Sequence, residues 1–127
     1  MQHIGHSGVA AAFRHIWERS RGSLSLAIVG VCVVFFLLNA ILDFSGLVTR
    51  EQVFSFLGFS SIGVVHHFWF HQFLTAPFLH GSVSHLLFNM LALWMLGPGV
   101  EKILGLRHYA IFSVLCAVIG SLGFLLF

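Results

Sequence analysis

Charge is what this sequence has least of: six basic and four acidic side chains among 127 residues, against 58% hydrophobic ones. A soluble domain carries charge on about a quarter of its residues, so a water-facing fold is excluded and lipid has to be part of the solvent. Cysteine is equally scarce. Cys32 and Cys116 fall inside apolar runs, without CxxC spacing or a neighbouring histidine, so they report neither a metal site nor a redox compartment and read as small apolar fillers. There is no internal repeat and no low-complexity tract. The net charge of +2 calls for no nucleic acid.

What is present is three long apolar runs, with the charged residues confined to the gaps between them. Leu24 to Leu42 carries no charge over 19 residues. At about 1.5 Å rise per residue it covers a hydrocarbon core of roughly 30 Å. The run is too long for a signal peptide, and Asn39-Ala40-Ile41 is a poor cleavage site. A second run begins at Val83 and fades through Gly97-Pro98-Gly99, and a third extends from Tyr109 to Phe127. The predicted fold is an all-α polytopic transmembrane bundle with spans at about 24–42, 83–100 and 109–127. The third run has no polar flank, so Phe127 reads as a cut rather than a natural terminus.

Arg14, Arg19 and Arg21 precede the first span, and Lys102 and Arg107 join the second to the third. The positive-inside rule then predicts a cytoplasmic N-terminus for this multi-pass protein, whose expected location is the cell inner membrane. Residues 1–23 form a cytoplasmic segment, in which Val9, Phe13, Ile16 and Trp17 predict an interfacial helix over 8–18. Residues 43–82 form an outer loop whose many phenylalanines place part of it in the membrane interface. Within it, Thr49-Arg50-Glu51-Gln52 has capping-box form and Gly58 is a stop signal, which predicts a short helix between them.

Ser82 or Ser84 caps the second span, which puts His85 in its first turn and Asn89 one turn deeper on the same face. Polar groups at that depth need partners, since each costs a few kcal/mol if left without one. Two readings fit the spacing: hydrogen-bond glue between helices, at about 0.6 kcal/mol per contact, or the lining of a wet active site.

Phe78-Leu79-His80-Gly81, then His85-Leu86-Leu87-Phe88-Asn89-Met90, then Gly97, Glu101 and Gly105 in LGPGVEKILG form a set that resembles the second-helix region of rhomboid intramembrane proteases. The resemblance extends in order and spacing over residues 24–127. It implies a six-span core of which three spans are present. It also implies hydrolysis of peptide bonds in or near the transmembrane segments of other proteins, by a Ser–His dyad on the fourth and sixth spans. His85 and Asn89 match the residues that stabilise the oxyanion, and His80 matches a histidine that polarises the cavity. Glu101 and Gly105 match the end of the family's second helix, where the glutamate braces the first loop from below. Gln72 and Thr75 match positions of that loop, and His71 stands where the family has another aromatic. The implied partners are transmembrane substrates, the bilayer and the remaining C-terminal spans. No metal or other cofactor is implied.

No Gly-x-Ser-Gly follows, and no later span supplies a histidine base. Gly58-Phe59-Ser60-Ser61 and Gly120-Ser121-Leu122-Gly123 are only superficially similar, and a serine without a base is not activated. The chain by itself is therefore expected to be an inactive N-terminal part of such a protease. Two other readings remain: a non-catalytic rhomboid-like protein that binds client helices, and a histidine-rich metal or haem protein. His66, His67, His71, His80 and His85 prompt the second, although no thiolate or carboxylate joins them.

Overall fold

A helix that is apolar on every side has no face to turn toward water, and this chain builds three of them. The computed structural model describes residues 23–126, with side chains through Gly123. The long helices are α1 (Leu24–Phe44), α5 (Val83–Leu104) and α6 (Leu106–Leu126). Between α1 and α5 lie α2 (Arg50–Leu57), α3 (Ser61–His67), α4 (Gln72–Thr75) and a 3-10 turn (Ala76–Phe78). No strand occurs among the described residues. Each long helix is long and apolar enough to cross a membrane, and little of its surface is covered by protein. The chain is an integral membrane protein. The interfacial helix expected over residues 8–18 lies outside the described residues.

The second span is longer than its composition indicated, since α5 continues past Gly97-Pro98-Gly99 to Leu104 with Pro98 inside it. A proline removes one helical hydrogen bond, but ending the helix in lipid would expose several backbone groups at once. The helix therefore persists to Gly105. There φ is +74° and ψ 158°, a region essentially restricted to glycine, and α6 begins at the next residue.

Helices α1 and α5 run antiparallel, and a polar junction fixes one end of their contact. The first turn of α1 has N–H groups with no helical partner and the positive end of the helix dipole. Glu101, on the last turns of α5, supplies the acceptor. Its carboxylate accepts hydrogen bonds from the Ser23 hydroxyl (2.5 Å), the Leu24 N–H (3.0 Å), the Ser25 N–H (3.3 Å) and the Ser25 hydroxyl (3.2 Å). The Ser25 and Tyr109 hydroxyls share a further bond of 2.8 Å, which draws in α6. Both of these side chains are buried. The approach is close enough to demand glycine at 97, because a Cβ there would sit 2.5 Å from Ser25 Oγ and 3.0 Å from the Tyr109 hydroxyl.

Residues 45–82 leave the opposite end, and their 72–78 stretch packs back along α1 and α6. The capping box at the start of α2 forms as expected: the Thr49 N–H donates to Gln52 Oε1 (2.8 Å) and the Gln52 N–H to Thr49 Oγ1 (3.3 Å), with Gly58 as C-cap. Gln72 is the centre of the loop. Fully buried, it accepts from the Ser60 N–H (3.0 Å) and donates to the Ser55 and Phe56 carbonyls (both 3.2 Å). Thr75 Oγ1 donates to the Leu57 carbonyl at 2.6 Å. His71 fills an aromatic position in its own way, with its ring 4.9 Å from that of Phe56 and its Nε2 2.8 Å from the Phe56 carbonyl. Phe78 meets Phe35 at 6.4 Å and anchors the loop to α1.

Two stability changes are expected. Glu101→Ala removes the carboxylate acceptors at the α1 start, leaving only the Ser23 hydroxyl to accept the Ser25 N–H, and should lower stability in detergent by about 2 kcal/mol, while Glu101→Gln, which keeps one acceptor oxygen, should lose less. Denaturant titration followed by circular dichroism reads the difference. Gln72→Leu removes the side-chain partner of the Ser60 N–H and the Ser55 carbonyl and leaves the Phe56 carbonyl to His71, which should cost about 1–3 kcal/mol in all. Hydrogen exchange should then rise over residues 55–75 and stay unchanged around Ser25 and Tyr109.

Candidate functional site

The start of α5 determines how its polar side chains are presented. Of the two serines able to cap it, Ser82 does so: its hydroxyl accepts the His85 N–H at 3.2 Å, while Ser84 lies 3.1 Å from that hydroxyl. His85 is thereby placed in the first turn and Asn89 one turn on. Sequence alone put both in a submerged pair. By depth they do lie within the span, but both are exposed on the protein, and Asn89 lines the open groove between α1, α5 and α6. Depth in a span and burial among side chains are separate quantities, and only the first is readable from counting residues.

His80 shows the reverse. A histidine just before a helix reads as solvated, yet it is only 4% exposed. Its Nδ1 lies 3.3 Å from the Phe78 carbonyl and its ring centre 5.1 Å from that of His85. Burial holds its pKa below the ordinary histidine value, the Phe78 carbonyl opposes that shift, and the nearby His85 adds to it. The neutral ring is therefore the form that the fold favours. Its contribution to stability is present above about pH 6.5 and is lost as pH falls through the lower folded value.

His80 lines two cavities. A groove of about 790 Å³ between α1, α5 and α6 has His80 and Asn89 on a mainly apolar wall with Cys32, Met90, Tyr109 and Cys116. A smaller cavity of about 290 Å³ on the other side holds Asn39, Asp43 and Arg50. Asn39 Oδ1 is buried there without a hydrogen-bond partner. The structure thus brings His80 to His85 directly, and His80 to Asn89 along the groove.

The remaining expected positions lie elsewhere. Gln72 and Thr75 hold the loop together. Glu101 sits on the last turns of α5 and caps α1, because the unpaired N–H groups of a helix start are strong donors for a carboxylate; Leu74 of the loop lies beside that same start of α1. Gly105 is the turn into α6. Ser60 Oγ caps α3 by accepting the Gly63 N–H at 3.2 Å. The histidines do not converge on a metal position: His67 stacks on Trp69 at 4.9 Å, and among the described residues no three His, Cys, Asp or Glu side chains are grouped to hold an ion. Ser25, Tyr109 and Arg50 are structural residues that the sequence reading did not single out. Only Ser25 carried a local signal, as a serine at the edge of an apolar run.

Comparison with known proteins bears on the same stretch. Residues 66–127 match the rhomboid domain. The chain is 31% identical over 110 residues to Rhomboid-like protein 15 of Arabidopsis thaliana, which covers 87% of this chain and 26% of that protein. It is 28% identical over 104 residues to the rhomboid protease GlpG of Pectobacterium atrosepticum, covering 82% and 35%. To the putative rhomboid protease YdcA of Bacillus subtilis it is 29% identical over 98 residues, covering 77% and 45%. The chain thus spans less than half the length of each of these relatives. No solved structure matches it. Spanning helices, a turn that delivers His80 beside His85, and this run of relatives agree, and the chain belongs to the rhomboid family, of whose domain it carries a part.

Proposed function

We propose that this chain supplies the oxyanion-stabilising helix of an intramembrane serine protease whose nucleophile and base lie on spans outside it. The observation that carries this reading is the open face of α5, where His85 and Asn89 stand one turn apart and exposed, next to a buried His80. Attack on a peptide carbonyl builds negative charge on oxygen, and one preorganised donor in a dry site lowers that barrier by about 3–4 kcal/mol. An imidazole N–H and a carboxamide both donate. Further spans packed on this face would exclude lipid and water from the two donors and bring the attacking serine to them.

The substrates on this reading are transmembrane segments of other proteins. The N-terminus faces the cytoplasm, with Lys102 and Arg107 on the same side, and the His80 end opens outward. The membrane is the cell inner membrane. The glue alternative is disfavoured because both side chains are exposed, whereas hydrogen-bond glue would be buried between helices.

The coding sequence beyond Phe127 is the first test: an in-frame Gly-x-Ser-Gly within about two spans is expected. In a protein carrying both parts, His85→Ala and Asn89→Ala should each lower kcat by on the order of 10²-fold or more while abundance in the membrane stays near normal. Loss of folding in both variants, with no separate catalytic defect, would contradict the assignment.

A further inference from the structure

At the loop end the helices are joined through one side chain that no catalytic motif contains. Arg50, the first residue of α2, donates its backbone N–H to Asp43 Oδ1 at 2.9 Å, tying α2 to the last turn of α1. Its guanidinium lies over the Phe54 ring at 5.5 Å and crosses to the start of α5. There one terminal amino group donates to the His80 carbonyl (3.2 Å) and the Gly81 carbonyl (2.5 Å). Those two peptides lie between the 3-10 turn and the Ser82 cap, outside every helix. A planar, permanently charged donor on two adjacent carbonyls fixes the rotation of that segment as well as its position.

We propose that Arg50 is the positioning residue for the His80–His85 pair: by holding the His80 and Gly81 carbonyls it keeps the His80 ring buried and against His85. Its relevance to turnover rests on the oxyanion role of His85. The clamp itself is a property of this chain. Among the described residues, the charged and titratable groups around His80 are Asp43 of α1, Arg50 of α2 and His85 of α5, and Cys32, Tyr109 and Cys116 line the groove it shares.

The test is NMR of the histidine-labelled chain in lipid nanodiscs, titrated as wild type, Arg50→Gln and Arg50→Met. In the wild type His80 should titrate below about 6.5, with ring-to-ring contact to His85. In both variants its midpoint should rise toward about 6.5 and that contact should vanish, with helix content and the Tyr109 signals unchanged. Arg50→Lys, which keeps a charged donor, should recover part of the shift. A purely structural arginine would change the thermal midpoint and leave the titration alone. An unmoved His80 midpoint in either folded variant overturns the clamp, and so does collapse of both variants, which would make Arg50 a folding residue. Full turnover in His85→Ala and Asn89→Ala would remove the functional reading while leaving these shifts in place.

Discussion

A carboxylate at the end of one span closes the start of another, and the arrangement of the whole chain depends on that contact. The first turn of α1 would otherwise present unpaired N–H groups near the membrane, where water is scarce and their exposure costs most. Glu101 reaches across from α5 and accepts from two of them and from both serine hydroxyls. The contact sets the register of α1 on α5 and requires glycine at 97. It also brings Tyr109 of α6 onto the same point through Ser25. With that end fixed, the other end of α5 arrives beneath the loop in a defined place.

At that end a carboxylate again closes a helix start, and a cation serves unpaired carbonyls. Asp43 closes the first turn of α2, and Arg50 satisfies two carbonyls of the segment entering α5. Between these junctions the helices are held mainly by apolar contact, which in lipid brings little net gain over contact with acyl chains. Two polar junctions at the ends of an otherwise greasy pair therefore account for why His85 and Asn89 on α5, and His80 just before it, occupy fixed positions.

The spans and the capping box of α2 were legible in the sequence because both are local: one follows from run length, the other from residues three apart. The C-terminal limit of α5 was not, since glycine and proline weaken a helix in water more than in lipid. Gln72 and Thr75 were recognisable as positions of the loop, but the three groups that Gln72 satisfies lie 12 to 17 residues away. Glu101 was recognised, but its bonds to the start of α1 were not legible, because they span 76 to 78 residues. The exposure of His85 and Asn89 was equally out of reach, being decided by which helices cover α5. Arg50 read as the second residue of a capping box, and nothing in its neighbourhood indicates that its guanidinium serves α5.

On the proposed reading the helix bears oxyanion donors but no nucleophile and accelerates nothing by itself, which makes the dependence between the two parts the point to measure. The direct measurement is labelling by a serine-reactive fluorophosphonate in membranes that hold this chain, a separate segment bearing the Gly-x-Ser-Gly and histidine spans, or both. Labelling should appear only when both are present, on the serine of the second segment. Label on this chain itself, or equal labelling of the second segment without it, would contradict the account.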